Sequence, residues 1–174
     1  AHDALSDCIA CASGTYADTV GTIQCTESVC DGTGTWTVRT SAADNNWVGI
    51  VYGNGLFVSV GQSGTSDRVM TSPDGITWTS RTSAADYSWY GITYGKDLFV
   101  AVANSGTGDR VMTSPDGITW TIRTSAADNQ WVSVTFGNGL FVAVALDGTG
   151  NRVMTSPDGI TWSIRTSAAD NEWY

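Results

Sequence analysis

Lysine, glutamate and histidine are almost missing from this chain: one Lys (Lys96), two Glu (Glu27 and Glu172) and one His (His2) stand among 174 residues. The acidity comes instead from 15 Asp, which against 7 Arg leave a formal charge of −9. A surface so short of cations repels nucleic acid and anionic lipid, so neither is expected as a partner. With His2 alone, close to one end, a His-dependent triad or a His-based zinc centre has no material. Glycoside hydrolysis by paired carboxylates needs two acids in unlike environments, and Glu27 and Glu172 lie at opposite ends of the chain. No apolar run approaches the roughly 18 residues of a membrane span. No stretch carries a helical stripe of about ten residues without interruption. A charged, then apolar, then small-residue leader is also missing, as is an initiating Met, and the chain stops partway into a repeat. A processed or truncated piece of a longer protein is the expectation.

What is present is repetition. Thr-Ser-Pro-Asp-Gly-Ile-Thr-Trp occurs three times without a substitution, ending at Trp78, Trp120 and Trp162, and it contains all three prolines. The spacing is 42 residues, and one period before Trp78 lies Trp36, again preceded by Thr. Each repeat reads as four short strands separated by turn chemistry. In the first full copy, Trp47–Tyr52 is β-rich and leads through Gly53-Asn54-Gly55, a hairpin signal, into Leu56–Val60. A polar loop over 62–67 follows, then Arg68–Ser72, the Pro73-Asp74-Gly75 turn, and Ile76–Thr82.

The fold class expected is therefore all-β: tandem four-stranded antiparallel blades of 42 residues, a β-propeller or propeller-like array. Strands apolar on both faces suit sheets sandwiched between neighbouring sheets, so each copy depends on the next for stability. Two Trp per repeat strengthen that dependence, since burying one contributes up to roughly 4 to 6 kcal/mol by area. Trp78→Ala is expected to open the gap between blades. Residues 35–174 hold three complete blades with partial ends, including a leading fourth strand over Thr35–Thr40.

The turn resembles the Asp-box of the sialidase-like propellers, Ser-x-Asp-x-Gly-x-Thr-Trp on the hairpin between third and fourth strands. Ser72, Asp74, Gly75 and Trp78 match it, as do Ser114, Asp116, Gly117 and Trp120, and Ser156, Asp158, Gly159 and Trp162, with one residue fewer between Asp and Gly. Physically, the carboxylate can accept backbone N–H bonds within the turn, Pro presets φ, Gly takes the left-handed position and Trp packs underneath. That is a folding device and carries no chemistry by itself. The sialidases of this fold use an arginine cluster at unique positions. Here Arg68, Arg110 and Arg152, and Arg39, Arg81, Arg123 and Arg165, recur with the repeat, as structural salt bridges would.

Residues 1–34 differ in composition and contain all four cysteines, Cys8, Cys11, Cys25 and Cys30. So short a segment needs covalent or metal staples. A zinc site and a disulfide framework compete, and the polar, Lys-poor context favours disulfides of an exported protein. Cys8 to Cys25, with Cys-Ile-Ala-Cys and Gly-Thr-Tyr following, resembles the small cysteine-rich modules of ephrin-receptor and tumour-necrosis-factor-receptor type, although Cys25-x4-Cys30 replaces the usual final C-x2-C. Those modules are extracellular spacers. For this one the pairs Cys8–Cys25 and Cys11–Cys30 are expected.

No catalytic residue, metal ligand or cofactor is expected. The copies differ mainly at the connector (Asn45-Asn46, Tyr87-Ser88, Asn129-Gln130, Asn171-Glu172) and in the loop between second and third strands, at one end of the blades. Tyr87, Trp89 and Tyr90 there form the candidate group for stacking on a glycan or touching a protein. Three blades do not close a ring, and open ends invite more copies or another subunit. The function expected is an extracellular structural repeat protein, secreted or at the cell surface, as a segment or protomer of a larger assembly such as a fibre or sheath. Its partners would be itself or further repeats. A carbohydrate-binding lectin or adhesin is the alternative, and a glycosidase ranks last. No N-glycosylation sequon occurs, whereas the many Ser and Thr are open to O-glycosylation.

Overall fold

A computed structural model describes residues 9–11, 15–17 and 37–173. The chain divides into two compact units, Ala1–Val38 and Arg39–Tyr174. In the first, β1 (Ile9–Cys11) pairs antiparallel with β2 (Thr15–Ala17), Cys11 lying opposite Thr15. Cys8, Cys25 and Cys30, and with them both expected disulfides, fall outside the described residues.

The second unit is three four-stranded antiparallel sheets in tandem, and the described residues include no helix. Each sheet is a meander in sequence order. The first holds β3 (Trp47–Gly53), β4 (Leu56–Gly61), β5 (Val69–Ser72) and β6 (Thr79–Arg81). The second holds β7 (Trp89–Gly95), β8 (Leu98–Ala103), β9 (Val111–Ser114) and β10 (Thr121–Arg123). The third holds β11 (Trp131–Gly137), β12 (Leu140–Ala145), β13 (Val153–Ser156) and β14 (Ser163–Arg165). This is the tandem-blade, propeller-like architecture that the 42-residue spacing of the repeat implies.

The fourth strand is shorter than expected. It starts at Thr79 and not at Ile76, because the N–H groups of Ile76 and Thr77 donate to the Asp74 carboxylate and are withdrawn from the ladder. The leading strand expected over Thr35–Thr40 is also not formed among its described residues, Thr37–Thr40. Its equivalents β6, β10 and β14 each pair with a third strand of their own blade, and no such strand precedes it among the described residues. Val38 is accordingly 95% exposed.

First strands carry a bulge after their Trp, at Trp47/Gly49, Trp89/Gly91 and Trp131/Ser133. Beyond it the side chains alternate, so Ile50 and Tyr52 share one face while Gly49, Val51 and Gly53 share the other. The core lies between blades. Val58, Val60 and Val69 of the first blade pack on Trp89, Ile92, Phe99 and Met112 of the second. Val100, Val102 and Val111 of the second pack on Trp131, Val134, Phe141 and Met154 of the third. One interface has thus been built twice from equivalent residues.

Candidate functional site

The Asp-box turns are closed hydrogen-bond systems. The Ser72 hydroxyl donates to Asp74 Oδ1 at 2.9 Å and accepts from the Gly75 N–H at 2.8 Å. The same carboxylate oxygen accepts the N–H groups of Ile76 and Thr77, each at 2.8 Å. Ser114 with Asp116, and Ser156 with Asp158, repeat the arrangement. Backbone donors favour the charged carboxylate. The Thr77 N–H, then that of Ile76, holds Asp74 below the usual carboxylate range; the Thr119 N–H does so for Asp116; and the Thr161 N–H, then that of Ile160, takes Asp158 to about 2. Gly75, Gly117 and Gly159 occupy the left-handed region at φ 71°, 74° and 75°. Trp120 and Trp162 pack into the interblade cores and donate their indole N–H to Gly117 O and Gly159 O, each at 3.1 Å. Trp78 has no blade beneath it among the described residues and stays half-buried. The role of holding the gap between blades therefore belongs to Trp120 and Trp162, a correction to the expectation for Trp78.

The periodic arginines bind their own blades. Arg68 donates to Gly64 O at 2.9 Å and to Gln62 O at 2.7 Å, and lies 3.8 Å from Asp86 of the connector. Arg110 with Asp128 and Arg152 with Asp170 repeat the pair. Asp86 also accepts the Ser66 N–H at 2.6 Å, and Asp170 that of Gly150 at 2.7 Å, so each connector is latched to the loop of the blade it leaves. Asp44, the same position before the first blade, has no partner among the described residues. Arg81, Arg123 and Arg165 donate across to Thr71, Thr113 and Thr155.

The variable connector and the variable loop meet at one end of the blades and bond to each other. Asn45 donates to Asp67, Tyr87 to Asp109 and Asn129 to Asn151. Behind them Ser63, Ser105 and Asp147 accept the N–H groups of Asn46, Ser88 and Gln130. The bond from Tyr87 to Asp109, with partial burial, raises the Tyr87 pKa. In the candidate contact group, Trp89 is 0% exposed, its indole N–H spent on Ala85 O, and it offers no face for stacking. Tyr90 is the extra residue of the bulge, and Tyr87 leans on Trp89 with ring centroids 6.0 Å apart. The loop partners Asp67, Asp109 and Asn151 escape a reading of the sequence because they lie 22 residues from their connector.

The two outer sheet faces are a further feature of the described residues. On the first blade Ile50 is 59% exposed, whereas its equivalents Ile92 and Val134 are buried, and Tyr52 is also 59% exposed, whereas its equivalents Tyr94 and Phe136 are partly buried. A groove of about 250 Å³ lies there, lined by Trp47, Val48, Gly49, Ile50, Ser59 and Met70. On the third blade Val142, Val144 and Val153 are only partly buried, although Val100, Val102 and Val111 are fully so. The first face is the Trp-bearing half of the interblade interface, and the second is the Val-bearing half. Hydropathy along one strand does not reveal them, because the same residues are core in the middle copy. The signal is that these faces belong to the outermost described blades of a stacking repeat.

No family profile matches the sequence, and no curated protein matches it. Solved structures do. YCF48 from Cyanidioschyzon merolae superposes with a TM-score of 0.53 at 19% identity, over 70% of this chain and 37% of that one. YCF48 bound to D1 peptide gives 0.58 at 17% identity, over 74% and 43%. The likeness is one of fold, and the chain spans less than half the length of either.

Proposed function

We propose that this chain is an extracellular structural repeat protein, a segment or protomer of a larger assembly such as a surface fibre or sheath, that works by stacking blades and not by catalysis. The observation that carries this reading is the pair of outer sheet faces: each is apolar, the first is exposed and the second only partly buried, and each is one half of an interface the chain builds twice internally. Apolar faces of this extent on a repeat array are characteristic of association sites. The repeated polar side chains support the same reading, because the Asp-box acids, the latching aspartates and the blade arginines are all engaged in holding strands and loops. The four cysteines clustered within 8–30, in a chain with a single Lys, support an oxidising, extracellular setting.

Sedimentation velocity on the intact chain across a wide concentration range, with negative-stain microscopy of the same samples, tests the assembly role. Species heavier than 18.3 kDa that grow with concentration are expected. A monomer at every concentration would sink the proposal. Non-reducing against reducing mass measurement tests the oxidised setting separately, with a gain of four hydrogens on reduction expected for two disulfides.

A further inference from the structure

Resting on that reading, we infer that the partner of the first blade is the third blade of a second copy of this chain, joined head to tail with Tyr52 of one copy seated over Gly137 of the other.

The internal interfaces supply the template. In each, an aromatic ring from the first strand of one blade covers a glycine at the end of the first strand of the blade before. A methyl group added at Gly53 would lie 2.2 Å from the Tyr94 ring, and one added at Gly95 would lie 2.2 Å from the Phe136 ring. Gly137 is the third glycine of the series and has nothing within 4 Å of that position. Tyr52 is the third ring of the series, and it is 59% exposed. Ring and place match one another on opposite ends of the block.

The Asp-box turns repeat the pattern in the same direction. Gly117 and Gly159 each face a valine of the preceding blade, with Val58 and Val100 at 2.9 Å from an added methyl. Gly75 faces only Phe57 of its own blade, and Val142, the equivalent of Val58 and Val100, is only partly buried. Two independent contacts, Tyr52 on Gly137 and Val142 beside Gly75, thus call for one and the same placement of one sheet on another. The two faces are different surfaces, so the contact is heterologous and not a symmetric pairing of like with like.

Two stretches are duplicated at such a joint: 41–44 of the incoming copy and 167–170 of the receiving copy belong to one place, and 45–47 of the incoming copy and 171–173 of the receiving copy, with Trp47 and Trp173, belong to the next. The receiving copy's segment is anchored: the Ser167 N–H donates to Gly150 O at 3.2 Å and the Gly150 N–H to Asp170 at 2.7 Å. The incoming copy's Asp44 has no partner among the described residues, so at the first place its 41–44 give way, whereas Trp47 is paired with Gly61 in its sheet and Trp173 lies in no strand, so at the second place the receiving copy's 171–173 give way.

Two variants of the intact chain test this. Gly137→Val blocks the third-blade face; its strand accommodates the change, because the position is open and its φ is not in the left-handed region. Ile50→Asp blocks the first-blade face at a residue already exposed to water. Sedimentation velocity is run on each alone and on an equimolar mixture, with far-ultraviolet circular dichroism confirming the parent's fold and Tyr52→Ala as a second block of the first-blade face. Each variant alone is expected to lose self-association at least tenfold. The mixture is expected to give a species of two chains that grows no further, because it reunites one intact face of each kind. Variants that assemble like the parent, or a mixture that stays monomeric, overturn the head-to-tail joint while leaving the assembly role of the chain standing. A parent that never associates overturns both.

Discussion

Gly53, Gly95 and Gly137 hold the same place in three blades, yet an added methyl group would have different neighbours at each. At the first two it would fall 2.2 Å from an aromatic ring of the next blade, near the ring's root where no rotamer change clears it. Gly53→Ala and Gly95→Ala are therefore expected to destabilise by about 1–3 kcal/mol through overpacking. Gly137→Ala should be neutral or stabilising by a few tenths of a kcal/mol, since Ala restricts the unfolded chain and meets no clash. Urea midpoints of the three variants check this, and equal losses at all three would show that the close approach of blades is not what the glycines serve. At the same scale, the Asp158 carboxyl titrates at about 2 in the fold against an ordinary 3.8. A depressed folded value means that its stabilisation is complete above the unfolded pKa and is lost as pH falls through the folded one. Thermal midpoints should thus drop between about pH 4 and pH 2. Asp116 and Asp74 shift in the same direction and add to the drop. Asp158→Ala should lower the midpoint at neutral pH and flatten the acid limb, as measured by calorimetry.

At the scale of the element, the interface is made by a Trp at the head of each first strand, and position in the array decides what that Trp is worth. Trp89 and Trp131 are fully buried, whereas Trp47 stands on the open face and is half-buried. Trp89→Ala and Trp131→Ala are expected to cost about 3–5 kcal/mol, the range for large core deletions, and Trp47→Ala distinctly less in the unassociated chain. Chemical denaturation at a concentration below the onset of assembly separates them, and a Trp47→Ala cost equal to that of Trp89→Ala would contradict the open face. The elements themselves were largely legible in the sequence. Spacing, the Asn-Gly and Pro-Asp-Gly turns and the β-rich runs between them located twelve strands in three sheets. What failed locally was the start of the fourth strand, where a side chain, Asp74, outcompeted the ladder for the N–H groups of Ile76 and Thr77. The strand expected over Thr35–Thr40 is not formed at 37–40, where no strand among the described residues lies beside it to pair with. The rim was misread for a related reason: Trp89 looks like a stacking residue beside Tyr87 and Tyr90, yet which side of a strand faces the next blade depends on a bulge that sequence spacing does not show.

For the whole molecule, assembly through the proposed joint would be governed by its heterologous character and by a large like charge. Every open oligomer made by stacking the third blade of one copy on the first blade of the next still ends in one face of each kind, so each addition recreates the site for another. Growth then stops only if the accumulated rotation closes a ring, and two copies would supply six blades, within the usual propeller range of about 4 to 8. A fibre or sheath requires that this closure does not occur. The expected result is therefore a ladder of species at successive multiples of 18.3 kDa with no plateau, read by native mass spectrometry as concentration rises. A plateau at two chains would remove the fibre while preserving the joint. Charge sets the conditions. Each copy carries −9, so approaching copies repel over about 8–10 Å at moderate ionic strength, whereas the joint itself is apolar. Raising salt from about 10 mM to 500 mM shortens that range several-fold and leaves the apolar contact intact, so assembly should strengthen. Association that weakened with salt would mean that ion pairs and not sheet faces hold the copies together.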